Sequence, residues 1–445
     1  MTREQAILNF IDELTPYQMH GFILTLGGEV LAEGSYAPFR ADEPHRMFSV
    51  SKSVVSLAIG MLSDAGVISL DDPICDHFPE WVDGDTPVLL RRVTIRHMLR
   101  MATCYDRSMY GALNHDDWTK PFFYGTPTHV PGTVFSYDTC ASQVMCALVE
   151  RKTGRSILDY MQEKLFDRIG MTDPKKWLKD GQGVSQGGTG LLLTLRDYSK
   201  LANFCMSDGQ GIISRDYLHA ATSWQIATGE RPGPEERYGY GYQFWMMREG
   251  FSMYGLGGQM ALCLPEKQLA LVTTADLITD STGVQPIYDA FFRNLSCIDA
   301  LPSDPSDAAR LQERLTKLRV QPLNGTNDRT LHVDLTLGAL PFSALTIAPG
   351  HVALTMGGVD YTLPCRAGEW REGIFPVSQE RCIVSGGWVA PDRFELLTEL
   401  CGDFAVCMKL FVQVCGSEAT VRVVSSLWEF QAGWGGQDWG SVTER

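Results

Sequence analysis

Residues 48–66 read FSVSKSVVSLAIGMLSDAG, and the rest of the chain is interpreted outward from them. Val54, Val55, Leu57, Ala58 and Leu62 recur at three- and four-residue steps, and Gly66 fits a stop, so the spacing predicts a helix over 51–65. Ser49 stands at its mouth. If Ser49 begins the helix, Lys52 lies one turn on and on the same face. A serine hydroxyl is a weak nucleophile until a neighbour takes its proton, and a lysine with a lowered pKa does this. Backbone N–H groups and the dipole at the helix start would assist an oxyanion. Alone, Ser-x-x-Lys is expected by chance in a chain of this size. The competing reading makes Ser49 a helix cap and Lys52 a solvated cation. Ser51 and Ser53 read as helix residues rather than nucleophiles.

Upstream, FILTL at 22–26 and EVLAE at 29–33 flank Gly27-Gly28, a two-residue hairpin signal. Downstream, residues 94–101 look helical, and a Gly/Pro/aromatic loop region runs from about 104 to 136. Further helices are expected over 141–153, ended by Gly154, over 156–169, ended near Gly170, and over 194–207. Strand patterns return at 240–247, 259–264 and 268–275. Strands first, helices in the middle and strands again put the early hairpin and the late strands into one sheet flanked by helices, an α+β class. Near residue 300 the character changes to a Pro/Ser/Asp stretch with a short helix and a polar connector. From Leu331 onward, short alternating segments such as LHVDLTL, HVALTMG and RFELLTEL are separated by turn residues, which argues for a small all-β barrel or sandwich. The expected division is 1–297, a linker at 298–330, and 331–445.

The composition excludes several classes. The chain has 445 residues, 38 Lys+Arg and 53 Asp+Glu, for a net charge of −15. An acidic surface repels phosphate backbones, so no nucleic-acid partner is expected. No stretch approaches about 18 uninterrupted apolar residues, so no membrane span is expected. The N-terminus lacks the basic start and apolar core of a signal peptide, which favours a cytoplasmic protein. The 12 cysteines form no Cys-x-x-Cys pair and mostly sit in apolar surroundings, and the nine histidines form no close cluster. Neither a metal nor a cofactor is expected.

Beyond the tetrapeptide, FSVSKSVVSLAIGMLSDAGVISLDDPICDHFPEW resembles the active-site helix region of the serine β-lactamase and penicillin-binding-protein superfamily. It is most similar to the class C-like branch, with its esterases, D-aminopeptidases and 6-aminohexanoate-oligomer hydrolases. The resemblance continues in order through TIRHMLRMAT, PGTVFSYDTCASQVMCALVERKTGRS, GGTGLLLTLRDYSKLANF, RYGYGYQFW and YGLGGQMALCLPEKQLALVTTA, over roughly residues 20–295. It implies a β-lactamase/transpeptidase-like fold followed by a lipocalin-like barrel. It also implies that Ser49 is the acylated nucleophile, Lys52 its proton-relay partner, and Tyr137 the tyrosine sharing the base role, its phenolate held by Lys52 or its proton passed by it. Thr139 replaces an asparagine of the family's second element, and a threonine hydroxyl cannot offer both an amide donor and a carbonyl acceptor. In the third element Leu256 takes the place of a basic residue, ahead of Gly257, Gly258 and Gln259. The backbone N–H of Gly258 or of Gln259 is then a candidate second oxyanion donor.

Tyr105, Tyr110 and Trp118, with His115, Asp117 and Tyr124, fall in the loop region that borders the pocket in relatives. They are candidates for an aromatic wall. Trp428, Trp434 and Trp439 are expected in the barrel core. The resemblance implies a serine hydrolase of small-molecule esters, amides or peptides rather than an efficient β-lactamase. The alternative is a retired scaffold with a binding role. In some relatives the barrel shapes the substrate entrance or builds a dimer, so a homodimer is among the expectations.

Overall fold

The early hairpin forms as expected: strands β1 (Met19–Leu26) and β2 (Glu29–Ser35) are antiparallel partners. Gly27 and Gly28 turn between them at φ 60° and 84°, a conformation that side chains resist. The computed structural model describes residues 1–108, 116–376, 378–403, 407–426 and 434–444. They fall into two units, Met1–Leu318 and Arg319–Arg445.

Three further short strands, β3 (His45–Arg46), β4 (Lys176–Trp177) and β5 (Leu191–Leu193), make a small sheet in the order β3-β5-β4. The late strands β6 (Trp245–Met246), β7 (Phe251–Gly255), β8 (Gln259–Leu264) and β9 (Leu269–Ala275) join the hairpin in one sheet, ordered β2-β1-β9-β8-β7-β6. The first and last strands of the unit thus pair along their length, from Met19 with Ala275 to Leu26 with Leu269. Strand β9 is buried at every position and β1 at all but its last residue, the mark of a sheet covered on both faces. On one face Phe22 meets Phe10 of the helix Arg3–Leu14 edge-on at 5.5 Å. On the other, Thr25 donates to Asn203 of the helix Leu195–Cys205 at 3.0 Å.

The helix expected at 51–65 spans Val50–Asp64 and is buried from Val50 through Leu62, so it is a core helix rather than an amphipathic surface one. A second long helix, Thr139–Thr153, packs beside it and ends on Gly154 at φ 66°. The stretch expected as one helix over 156–169 begins as Ile157–Met161 and widens into a π-helical turn at Gln162–Phe166. The expected strand over 240–247 is cut to Trp245–Met246. Gly239 at φ 115° and Gln243 at φ 66° turn the backbone out of the extended region, and the Gln243 amide donates to the Met98 and Leu99 carbonyls at 3.1 and 3.0 Å.

In the second unit, ten strands are described among the described residues: β10 (Leu331–Leu335), β11 (Ala344–Ala348), β12 (His351–Met356), β13 (Val359–Pro364), β14 (Arg371–Ile374), β15 (Arg381–Ala390), β16 (Arg393–Leu400), β17 (Cys407–Cys415), β18 (Glu418–Ser425) and β19 (Gly436–Glu444). Their order, β13-β12-β11-β10-β19-β18-β17-β16-β15-β14, is an antiparallel barrel closed except between β13 and β14. Those two edges still touch: a Cβ on Gly373 would lie 2.8 Å from Pro364. Trp434 is buried as expected, but Trp439 is 48% exposed because it falls on the outward side of β19; Trp428 lies outside the described residues. The expected linker at 298–330 is shared between the units. Its helix, Pro305–Leu315, packs on Arg3–Leu14 in the first unit. Among the described residues no helix is long and apolar enough to cross a membrane.

Candidate active site

The segment entering the central helix is held on both sides. The Met47 N–H donates to Leu191 O at 2.8 Å, and the Leu191 N–H donates to Ser51 Oγ at 3.0 Å, so β5 brackets Ser49. Phe48 sits at φ 46°, a left-handed conformation that a bulky residue adopts only when its surroundings impose it. The Arg46 guanidinium lies over its ring at 4.8 Å. From the other direction, the end of β7 comes so close that a Cβ on Gly255 would lie 2.2 Å from the Met47 carbonyl oxygen. Glycine is required there for contact, not for conformation.

Ser49 makes no side-chain cap bond to its helix, and Lys52 is 1% exposed, so the cap-and-solvated-cation reading fails on both counts. Lys52 Nζ donates to Ser49 Oγ at 2.9 Å. It donates to Gly188 O at 2.7 Å and lies 5.0 Å from the Tyr137 ring centroid. Burial pulls the Lys52 pKa down to about 7, against the opposing field of Asp138. Burial pushes the Tyr137 phenol above its ordinary value, and hydrogen bonding to Ser49 opposes the rise. Among the described residues the Ser49 N–H has no backbone acceptor, which leaves it open to an oxyanion.

Asp138 caps the helix Thr139–Thr153, accepting from the Cys140 N–H at 2.9 Å. Thr139 is the helix's first residue. Its methyl group would meet a Cβ on Gly188 at 2.4 Å, and Lys52 Nζ would be 3.4 Å from the same point. The loop carrying Gly188 is held from that helix too, since the Gly187 N–H donates to Gln143 Oε1 at 2.8 Å. Two helices and one loop therefore converge on the lysine.

Leu256, Gly257 and Gly258 form the turn between β7 and β8, with both glycines at positive φ, 83° and 105°, and Leu256 39% exposed. The Gly258 N–H is already given to Gly255 O at 3.3 Å, which makes it a poor oxyanion donor and leaves the Gln259 N–H as the candidate. The Gln259 side chain turns inward, donating to Leu256 O and Ala275 O at 2.9 and 2.8 Å, so it locks the turn rather than meeting a substrate.

The expected aromatic wall is corrected in part. Tyr105 is 2% exposed, donates to Phe122 O at 2.7 Å and packs edge-on against Phe122, which makes it a core residue. Trp118 is 7% exposed and its backbone N–H donates to Asp180 Oδ2 at 3.2 Å; it too is packed inward. Asp117 accepts the Thr119 and Lys120 N–H groups in a local turn. Tyr110 and His115 lie outside the described residues. The aromatic neighbours of Tyr137 are the buried Trp245, stacked on it at 5.5 Å, and the buried Tyr240, with the partly buried Phe135 and Tyr254 packed against them. The sequence signal for them was RYGYGYQFW, too aromatic for the plain strand it resembles.

Residues 17–277 match the beta-lactamase family, more than half of the chain. The chain is 25% identical over 203 residues to a 6-aminohexanoate-dimer hydrolase of Paenarthrobacter ureafaciens, covering 42% of this chain and 52% of that one. It is 28% identical over 177 residues to Esterase EstB of Burkholderia gladioli, covering 35% of this chain and 44% of that one. It thus spans about half the length of the curated relatives it matches. An octameric penicillin-binding protein homologue from Pyrococcus abyssi shares the fold over 99% of both chains, with a TM-score of 0.50 at 15% identity. From its matched family region through its fold, the chain belongs to the beta-lactamase family.

Proposed function

We propose that the chain is a serine hydrolase that cleaves a small-molecule ester or amide through an acyl-enzyme on Ser49. The observation that carries this reading is the 2.9 Å approach of Lys52 Nζ to Ser49 Oγ at a lysine only 1% exposed. Ser49 Oγ attacks the carbonyl carbon while its proton passes to the Lys52 amine. The displaced electron pair forms an oxyanion beside the Ser49 N–H. Collapse expels an alcohol or amine, which leaves with a proton relayed from Lys52 through Tyr137. Water then repeats the attack, releases the acid and restores Ser49. With burial lowering Lys52 and raising Tyr137, the amine rather than the phenolate is the base at neutral pH.

The similarity to a protein named for hydrolysing an aminohexanoate dimer and to one named an esterase supports attack on C–N and C–O bonds at a carbonyl. Thr139 and Leu256 argue against an efficient β-lactamase, since the amide and the cation of the family pattern are both absent. The hydrolase is assigned to residues 1–297, with 331–445 an appended barrel.

Intact-protein mass spectrometry after exposure to a fluorophosphonate and, separately, to β-lactams tests this. A single adduct in the native chain, lost in Ser49→Ala, is expected. The fluorophosphonate should label faster than any β-lactam. No adduct from any probe in folded protein would overturn the proposal in favour of a retired scaffold.

A further inference from the structure

The loop 185–190 meets the helix Thr139–Thr153 more closely than side chains allow. A Cβ on Gly187 would lie 2.3 Å from Cys146 Cβ and 2.7 Å from the Ser142 carbonyl oxygen, and one on Gly188 would lie 2.4 Å from the Thr139 methyl. Thr139, Ser142, Gln143 and Cys146 recur at three- and four-residue steps, so they form one face of that helix. Glycine at both loop positions lets backbone lie directly on the face.

The flanks of the loop and its middle are held by different means. The flanks are tied to Leu178: the Gln186 N–H donates to Leu178 O and the Leu178 N–H donates to Gly190 O, both at 2.8 Å. The Trp177 indole N–H adds a bond to Gln186 O at 2.9 Å. In the middle, among the described residues, the Gly187 N–H has no backbone acceptor. The Gln143 amide takes that place: its Oε1 accepts from the Gly187 N–H at 2.8 Å, and its Nε2 donates to Ser185 O at 3.1 Å. Gln143 is 1% exposed, so water does not compete for either bond. One residue on from this clamp, Gly188 O accepts from Lys52 Nζ at 2.7 Å.

A lysine carries its nitrogen on a flexible four-carbon stem, and the helix fixes only where the stem begins. The buried Lys52 nitrogen is placed by its two acceptors, Ser49 Oγ and Gly188 O. We propose that Gln143 is a positioning residue: its amide holds the 187–188 backbone so that the Gly188 carbonyl keeps Lys52 aimed at Ser49. The inference rests on the reading of Ser49 and Lys52 as nucleophile and base. With one N–H spent on Gly188 O, the lone pair of the amine is left for the serine proton.

The test is the kinetics of fluorophosphonate labelling of Ser49, read by intact mass, in the native chain, Gln143→Met, Gln143→Asn and Trp177→Phe, with folding checked by circular dichroism. Labelling forms a Ser49 O–P bond and breaks the P–F bond. Fluoride leaves and the serine proton goes to Lys52. Gln143→Met keeps the length and loses the amide, whereas Gln143→Asn keeps the amide and is one methylene too short to reach the loop. In both, the maximal labelling rate constant should fall by roughly 10–10²-fold from misplacement, with the apparent affinity for the probe and the final fraction labelled unchanged. A merely structural loosening would instead lower the fraction of chains that label. Trp177→Phe releases a flank of the same loop and should label at close to the native rate. An unchanged rate constant in either Gln143 variant that folds, an equal fall in Trp177→Phe, or failure of both Gln143 variants to fold would overturn the Gln143 role while leaving the Ser49–Lys52 reading intact. So would a Gln143→Met effect that persists in full on top of Lys52→Met, because a residue acting through the lysine then has nothing left to position. Absence of labelling in the native chain would overturn the Ser49–Lys52 reading itself, and this inference with it.

Discussion

The side of the candidate site that carries Ser49, Lys52 and Tyr137 and the side formed by Thr139 and the 256–259 turn are made of different material. The first consists of side chains with buried surroundings, each fixed from more than one element. Lys52 alone touches Ser49 and a loop carbonyl. The second presents backbone, two glycines at positive φ and an exposed leucine. The difference teaches where each property of the site is stored. On the proposed reading, proton transfer depends on burial and is tied to the core, so it would change only with the fold. The proposed recognition side lies on an edge where a residue can change at little cost to packing.

That contrast can be broken at its strongest point first. Tyr137→Phe removes one oxygen and leaves the stacking on Trp245, so folding should persist while turnover falls by about 10²–10⁴-fold. Unchanged kcat would remove Tyr137 from the proton path. Gly255→Ala joins the two sides, because its methyl would overlap the Met47 carbonyl and shift the segment that aims Ser49. Turnover should fall by roughly 10²-fold from misplacement, with thermal stability lowered as overpacking requires. Wild-type turnover in this variant would show that the two sides are not mechanically coupled. The smallest effect belongs to the recognition side: Leu256→Lys should improve kcat/KM for substrates bearing a carboxylate by about fivefold, the worth of one exposed charge contact at the upper end. An equal effect on neutral esters would mean that the turn acts on chemistry rather than on recognition.

Much of this was legible in the sequence because local signals and long-range needs agree. Gly27-Gly28 requires a hairpin, and the apolar steps of 54–62 require a helix; both formed. The order of strands and helices was enough to put the early hairpin and the late strands in one sheet, though not to pair β1 with β9. The failures share a cause. Tyr105 and Trp118 lie in a loop, where no periodicity reveals which way a side chain turns, and both turned inward. Residues 240–247 carried a strand's composition, but Gln243 spends its amide on two carbonyls almost 150 positions earlier in the chain, a demand invisible locally. Gly188 gains its importance only from lying against a lysine of the central helix, far from it in the chain. Trp439 belongs to an alternating strand, where one residue's shift of phase exchanges core for solvent.

Of the serines in the central helix, Ser51, Ser53 and Ser56 are each tied to a different part of the chain. Ser51 holds Leu191, Ser53 donates to the Gln243 carbonyl at 2.7 Å, and Ser56 meets the Tyr217 hydroxyl at 3.0 Å. Together they act as splines on a shaft: the helix cannot roll about its axis or slide along it without releasing all three. Ser49, the proposed nucleophile, is therefore held in place before any ligand arrives. Heat should silence this site only when the whole first unit melts, with no earlier, separate loss of alignment.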